Sequence, residues 1–431
     1  MKFRGFPFSC VSILCLFFGS LTGANPPNIL LILADDVGCE PIGCYGGESV
    51  KTPHVDALAE GGMRFDHCYS MPVCHPSRMA LMTGRYPFKL KAGWGSFPKA
   101  EEEHSIGRVM QRAGYATAVA GKWQLVLMKK DVQQPARLGF DEWSLFGWHE
   151  GARFHDPMIY QNGKVREDTK GKYGPDLYVE FLAEFMEKSI KADKPFFAYY
   201  SMALAHDVTD DLKWQVPYVP GQDRWLNYEE MVVSMDDMIG KLVGHLDRLK
   251  IRENTVVIFT GDNGTASRSK LRHLGGKGRN YEYQKVVMKQ NGKMIPGGKG
   301  NTNDRGTHVP LIVNWPGQVC ASSVSQDLVD FSDWLPTLAE LGDAELPKGV
   351  TLNGQSFTSS FLNTEGPKRS YAFAESRSGK AFVRDQQYKL YNNGNLYHIP
   401  TDPKEQKPLP SGNADEIREK LQAALDALGY E

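Results

Sequence analysis

Asn28-Ile29-Leu30-Leu31-Ile32-Leu33-Ala34, running straight into Asp35-Asp36, is a short, nearly unbroken apolar segment that ends on two carboxylates. A segment with no alternating polar face reads as a strand buried on both sides, the kind found inside a parallel sheet. Three further runs share this character: Ala116 to Ala120, Pro195 to Met202 and Thr255 to Thr260. Between them lie amphipathic stretches, Leu177 to Ile190 and Tyr228 to Leu249, the second with apolar residues at helical spacing. Strands alternating with helices predict an α/β fold with a large, mostly parallel sheet flanked by helices. Ligands of such sheets gather beyond the carboxyl ends of the strands. Polar groups follow each of these runs: Asp35-Asp36, Lys122, His206 and Asp262-Asn263. Their common edge predicts one shared site.

Beyond about Gln326 the pattern changes. Ser370 to Leu396 holds short alternating segments (YAFAES, KAFVRD, YKLYNN) that predict an antiparallel sheet, and Asn413 to Leu428 reads as a closing amphipathic helix. The expected organisation is therefore a large domain over residues 25–325 and a smaller one of antiparallel sheet plus helix over 326–431.

The 431 residues carry 50 Lys+Arg against 51 Asp+Glu, a balance that argues against a nucleic-acid partner or a polybasic membrane surface. The N-terminus departs from this average. Lys2 and Arg4 precede an apolar stretch, Val11 to Phe18, and then Thr22-Gly23-Ala24, the pattern of a secretory signal peptide over residues 1–24. The apolar stretch is short for a bilayer span, so the expectation is an exported protein, periplasmic or secreted, with no stable membrane anchor. Downstream remain Cys39, Cys44, Cys68, Cys74 and Cys320. An odd number in an exported chain points to one cysteine with its own chemistry, while pairing among the others stays open.

Asp35 and Asp36 are adjacent carboxylates that repel unless a cation offsets them. Asp262-Asn263-Gly264 adds a carboxylate and an amide oxygen at another strand end. Either pair alone fits a turn or a helix cap. Together, on one sheet edge, these hard oxygens suit Ca²⁺, or secondarily Mg²⁺, better than zinc. Cys74-His75-Pro76-Ser77-Arg78 then precedes an apolar run, Met79 to Met82, and Thr83-Gly84-Arg85. Pro beside small polar residues signals a helix start, which puts the Cys74 thiol where unpaired N–H groups favour negative charge. A nucleophile there, with a guanidinium four residues on, suits an anionic substrate.

The string C-x-P-S-R followed by T-G-R resembles the signature of the sulfatase family, in which the cysteine is oxidised to a formylglycine aldehyde by a maturation enzyme. The resemblance extends over most of the chain and implies an alkaline phosphatase-like fold with a smaller C-terminal domain. It implies Ca²⁺ held by Asp35, Asp36, Asp262, Asn263 and the matured Cys74. It also implies that Arg78 holds the aldehyde hydrate and Lys122 contacts hydrate and sulfate, while Lys299 binds sulfate and His206 protonates the leaving oxygen. The expected reaction is hydrolysis of sulfate esters, with a sulfated carbohydrate as substrate.

Several positions depart from the family pattern. Gln124 follows Gly121-Lys122-Trp123 where the family has histidine, and glutamine cannot accept a proton at neutral pH. His75 is a nearby substitute by sequence. Asp207-Val208-Thr209 follow His206 where proline is common, and Asp304, Arg305 and His308 replace Glu, Gly and Arg after Lys299. Residues 266–299 carry Arg268, Lys270, Arg272, Lys277, Arg279, Lys285, Lys289, Lys293 and Lys299 against Glu282. This stretch reads either as a solvated loop or as a surface that steers a polyanion. Two other functions stay open: phosphonate or phosphate ester hydrolysis, and a catalytically silent protein that binds sulfated glycans.

Overall fold

The computed structural model describes residues 26–147, 150–207, 227–274 and 280–430. The signal peptide expected over 1–24 lies outside the described residues, as do Val208, Thr209, Lys277 and Arg279.

The strand Asn28–Ala34 is buried at every position and runs down the middle of a ten-stranded sheet. Phe196–Ser201 pairs with it on one side and Thr255–Gly261 on the other, both parallel. Ala116–Gly121 and Glu142–Phe146 extend the parallel part. Toward the edges the sheet becomes mixed. Leu311–Asn314 lies antiparallel between Thr255–Gly261 and Met63–Tyr69, Ser323–Asp330 pairs parallel to Met63–Tyr69, and Ile159–Gln161 and Lys164–Val165 close the far edge.

The period of two along the central strand divides its side chains between two cores. Leu30, Ile32 and Ala34 face the helices Gly174–Lys191 and Tyr228–Arg248 through Leu177, Phe181, Met235 and Ile239. Ile29, Leu31 and Leu33 face the opposite layer, built from Cys74–Thr83, Ile106–Arg112 and Trp334–Leu341. Each of these fully buried Leu and Ile side chains contributes about 2 kcal/mol. The result is an α/β fold of three layers in which the strand order positions every expected polar group at one edge. Among the described residues no helix is long and apolar enough to cross a membrane.

The helix at Cys74 starts two residues earlier relative to its proline than the sequence suggests. It spans Cys74–Thr83, so Pro76 is its third residue, still within the first turn, where an N–H has no partner to lose. It ends at Gly84, whose φ of 66° lets its N–H reach the Ala80 carbonyl at 2.9 Å.

The C-terminal sheet is antiparallel: Ala372–Glu375, Ala381–Arg384, Tyr388–Tyr391 and Leu396–His398. The helix Asp415–Leu428 packs on it through Leu421, Leu425 and Leu428. Buried ion pairs fasten this sheet to the segment after Lys299. Arg384 Nη1 donates to both Asp304 oxygens at 2.8 Å, and Lys389 Nζ donates to Asp304 at 2.8 Å and Glu405 at 2.7 Å. Lys389 is fully buried, so removing its charge leaves Glu405 without its cation. Lys389→Met should therefore cost about 3 kcal/mol, seen as a lower urea midpoint at unchanged slope. An unchanged midpoint would contradict this anchoring role.

Candidate active site

Backbone hydrogen bonds stitch the strand ends together before any side chain is considered. Asp262 N–H donates to the Ala34 carbonyl at 2.9 Å, Asp35 N–H to Leu204 at 2.8 Å, and Lys122 N–H to Ser201 at 2.6 Å. Gly121 precedes Lys122 with φ of 100°, and a Cβ there would lie 2.1 Å from the Ser201 carbonyl oxygen. Only glycine permits this approach.

Three carboxylates and three cations meet at this edge. Arg78 donates from Nε and Nη2 to Asp262 Oδ2 at 3.1 and 2.8 Å, and from Nη1 to Ser201 Oγ and the Lys122 carbonyl. Lys122 Nζ lies 2.5 Å from Asp35 Oδ2, and Lys299 Nζ lies 2.6 and 2.7 Å from the two Asp36 oxygens. His206 Nε2 is 3.8 Å from Asp36 Oδ2, while its Nδ1 is 2.9 Å from the Asp207 carbonyl and 3.5 Å from Arg153 Nη1. Burial opposes charge on Asp35, but Lys122, His206, Arg78 and Lys299 hold its carboxyl well below the usual range. Asp262 goes the other way: burial and the Asp35 charge push it up despite Arg78 and Lys122. The two carboxyls thus respond in opposite directions within one buried cluster.

The donor set also fits a cation. Ligand atoms of Asp35, Cys74 and Asp262 lie within 4.8 Å of one another, all buried. Asp35 Oδ1 and Asn263 Oδ1 are buried oxygens that accept no hydrogen bond. The Asn263 amide nitrogen is spent on Asp36 Oδ1 at 2.9 Å and the Gly264 carbonyl at 3.0 Å. An unsatisfied buried oxygen costs about 1–3 kcal/mol, and a hard divalent ion relieves that cost for several at once.

Every expected residue thus falls in one cluster: Asp35, Asp36, Cys74, Arg78, Lys122, His206, Asp262, Asn263 and Lys299. Ser201 and Arg153 are additions. Ser201 was detectable only as the last residue of an apolar strand, and Arg153, in an irregular segment, carried no signal. Two of the replaced residues after Lys299 are accounted for locally: Asp304 anchors the C-terminal sheet, and His308 Nε2 lies 2.9 Å from the Asp66 carbonyl.

Gln124 is buried in a left-handed conformation, φ 58°, with its Oε1 unpaired. His75 donates from Nε2 to the Ser96 carbonyl at 2.9 Å, and its ring centroid lies 5.2 Å from that of Trp94. Burial above all, aided by the charges of Arg78, Lys122 and Arg377, pushes its imidazole down to about 4. The basic stretch forms a hairpin, Arg268–His273 with Tyr281–Lys285, in which Arg268 lies over Tyr283 and Lys270 over Tyr281. The Lys270 N–H reaches Asp207 Oδ2 at 3.2 Å, which sets the hairpin beside His206.

A family model described as Sulfatase matches residues 27–344. The chain is 30% identical to arylsulfatase A of Homo sapiens over 426 residues, covering 88% of this chain and 77% of that protein. It is 31% identical to N-acetylgalactosamine-6-sulfatase of Sus scrofa over 384 residues, covering 80% and 69%. Among solved structures it resembles Ps i-CgsB in complex with k-i-k-neocarrahexaose, with a TM-score of 0.73, 26% identity and coverage of 94% and 92%. A phosphonate monoester hydrolase of Agrobacterium radiobacter shares the fold at 18% identity, with a TM-score of 0.61 and coverage of 93% and 95%. With its strand-end carboxylates, cations and cysteine gathered in one place, the chain belongs to the sulfatase family, the sulfuric ester hydrolases.

Proposed function

We propose that this sulfatase acts on a sulfated carbohydrate through a formylglycine made from Cys74 and a bound Ca²⁺, with Mg²⁺ the lesser alternative. The observation that carries the proposal is the buried junction of Cys74 with Asp35 and Asp262, ringed by Arg78, Lys122 and Lys299. The sugar assignment draws support from relatives whose names or bound ligands are saccharides.

Each residue has a role that follows from its place. Cys74 stands in the first turn of a helix, where unpaired N–H groups favour an anionic group. When matured and loaded, the site would gain an aldehyde hydrate as nucleophile, and a cation held by Asp35, Asp36, Asp262 and Asn263 would supply a divalent charge to offset that of the sulfate. Arg78, locked to Asp262, fixes the approach to residue 74. Lys122 and Lys299 share their protons between carboxylates and sulfate, so their charges are aimed before substrate arrives, the arrangement that carries most electrostatic catalysis. His206 donates Nδ1–H to the Asp207 carbonyl, leaving Nε2 to hold the proton for the departing alcohol.

The proposal extends to the rest of the chain: a signal peptide over 1–24, export to the periplasm or outside, maturation by a formylglycine-generating enzyme, a catalytic domain over 25–325 and a smaller domain over 326–431. A second reading, a sulfated-glycan-binding protein without turnover, is favoured by Gln124, which offers no base where the family pattern has one.

Matured protein should release sulfate from a panel of sulfated glycans and aryl sulfates faster than phosphate from matched phosphate or phosphonate esters. Gln124→His should raise kcat about a hundredfold, the low end of the roughly 10²–10⁴-fold range of a positioned base. Binding without sulfate release in the wild type, or a phosphonate preference, would overturn the sulfatase turnover proposed here. Ca²⁺ should also raise the melting temperature, since about a hundredfold excess over Kd stabilises by about 2.7 kcal/mol. Asp35→Asn should abolish that rise, and an equal rise in the variant would contradict this ligand set.

A further inference from the structure

A second concave surface opens beside the Cys74 helix. It is a cleft of about 380 Å³ whose floor includes His75 and Met79 and whose rim carries Lys91, Trp94 and Arg377. His75 is the neighbour of Cys74, so the cleft begins one residue from the proposed nucleophile. Its outer wall comes from elsewhere in the chain. Arg377 sits on the turn between the strands Ala372–Glu375 and Ala381–Arg384 of the C-terminal sheet. That turn therefore faces the helix that bears Cys74.

The chemistry of the cleft is cationic and aromatic. The Arg377 guanidinium lies over the Trp94 ring, 4.7 Å from its centroid, a stacking that orients the cation without neutralising it. Lys91 and Arg377 are both exposed, and among the described residues neither forms an ion pair with a carboxylate. Glu375 is the opposing charge in the lining. It accepts the Phe88 N–H at 2.8 Å, and burial pushes its carboxyl up to about 7, which weakens its opposition to an anion. A concave site with an aromatic platform and a few convergent polar groups is the usual form of a small-ligand pocket. A guanidinium free of a carboxylate suits sulfate or carboxylate oxygens.

We propose that this cleft is a subsite for a second anionic sugar unit, sulfated or carboxylated, of the saccharide whose sulfate ester lies at Cys74. Arg377 and Lys91 take its charge, with Trp94 holding the Arg377 guanidinium in place. The proposal rests on the sulfatase reading and adds to it a preference for oligosaccharides over small esters. It also gives the C-terminal sheet a direct part in substrate choice.

The test compares wild type with Arg377→Met and Lys91→Ser, two exposed positions outside the catalytic cluster. Substrates are 4-nitrophenyl sulfate, a chondroitin 6-sulfate tetrasaccharide, which carries carboxylates, and a carrageenan tetrasaccharide, which carries sulfates only. On whichever tetrasaccharide the wild type desulfates, Arg377→Met should lower kcat/KM about tenfold, mostly through KM, with 4-nitrophenyl sulfate unchanged. The two tetrasaccharides separate a carboxylate from a sulfate as the recognised group. Equal losses on the aryl ester and the tetrasaccharides, or no loss on either, would overturn the subsite. Calorimetric titration of both tetrasaccharides reads the subsite without turnover. About tenfold weaker binding by Arg377→Met supports it even if no sulfate is released, a result that would sink the turnover reading alone. Unchanged binding, or no binding of either saccharide by wild type, overturns it.

Discussion

Three buried carboxylates at the ends of adjacent parallel strands impose the constraint on which the site depends. Asp35 and Asp36 follow one strand and Asp262 follows its neighbour, so the register of the sheet itself forces like charges together. In a buried setting that repulsion must be offset. Arg78 arrives from a helix, Lys122 from a third strand end and Lys299 from a loop, and each pairs with a different carboxylate. The charges that hold the fold together at this edge are the same ones aimed at an anionic substrate. Structure and chemistry therefore cannot be altered separately here.

The segment after Lys299 shows how the smaller sheet is tied to this centre. Asp304 accepts from Arg384 and Lys389, both fully buried, and Lys389 continues to Glu405. This gives Asp304, one of the altered residues there, a docking role. A turn of the same sheet carries Arg377 to the cleft beside Cys74, so anchoring and substrate contact come from one small unit.

The central strands were legible in the sequence because burial on both faces demands uninterrupted apolar runs, and each run survives as a strand within a residue or so of its expected ends. The outer strands were not. Met63–Tyr69 carries Arg64, Asp66 and His67 on a half-exposed edge region, and Leu311–Asn314 is four residues long, too short to show a period. Most site residues were legible because they directly follow apolar runs or stand in a dense local string such as Cys74 to Arg85. Arg153, Trp94 and Arg377 were not, because only tertiary folding brings them to the site. The mixed edges of the sheet were likewise invisible, since strand direction depends on connections rather than local pattern.

Gln124 departs from the family pattern at the position where that pattern has a base. Its Oε1 is buried and unpaired, and His75 is engaged with the Ser96 carbonyl. Cys74 is nonetheless the residue on which the proposed chemistry depends, since the buried carboxylates and cations gather beside it. The most direct measurement is the mass of the tryptic peptide Phe65 to Arg78 from protein produced with the maturation enzyme. An aldehyde or its hydrate is expected at position 74. An unmodified thiol there would contradict the proposed chemistry.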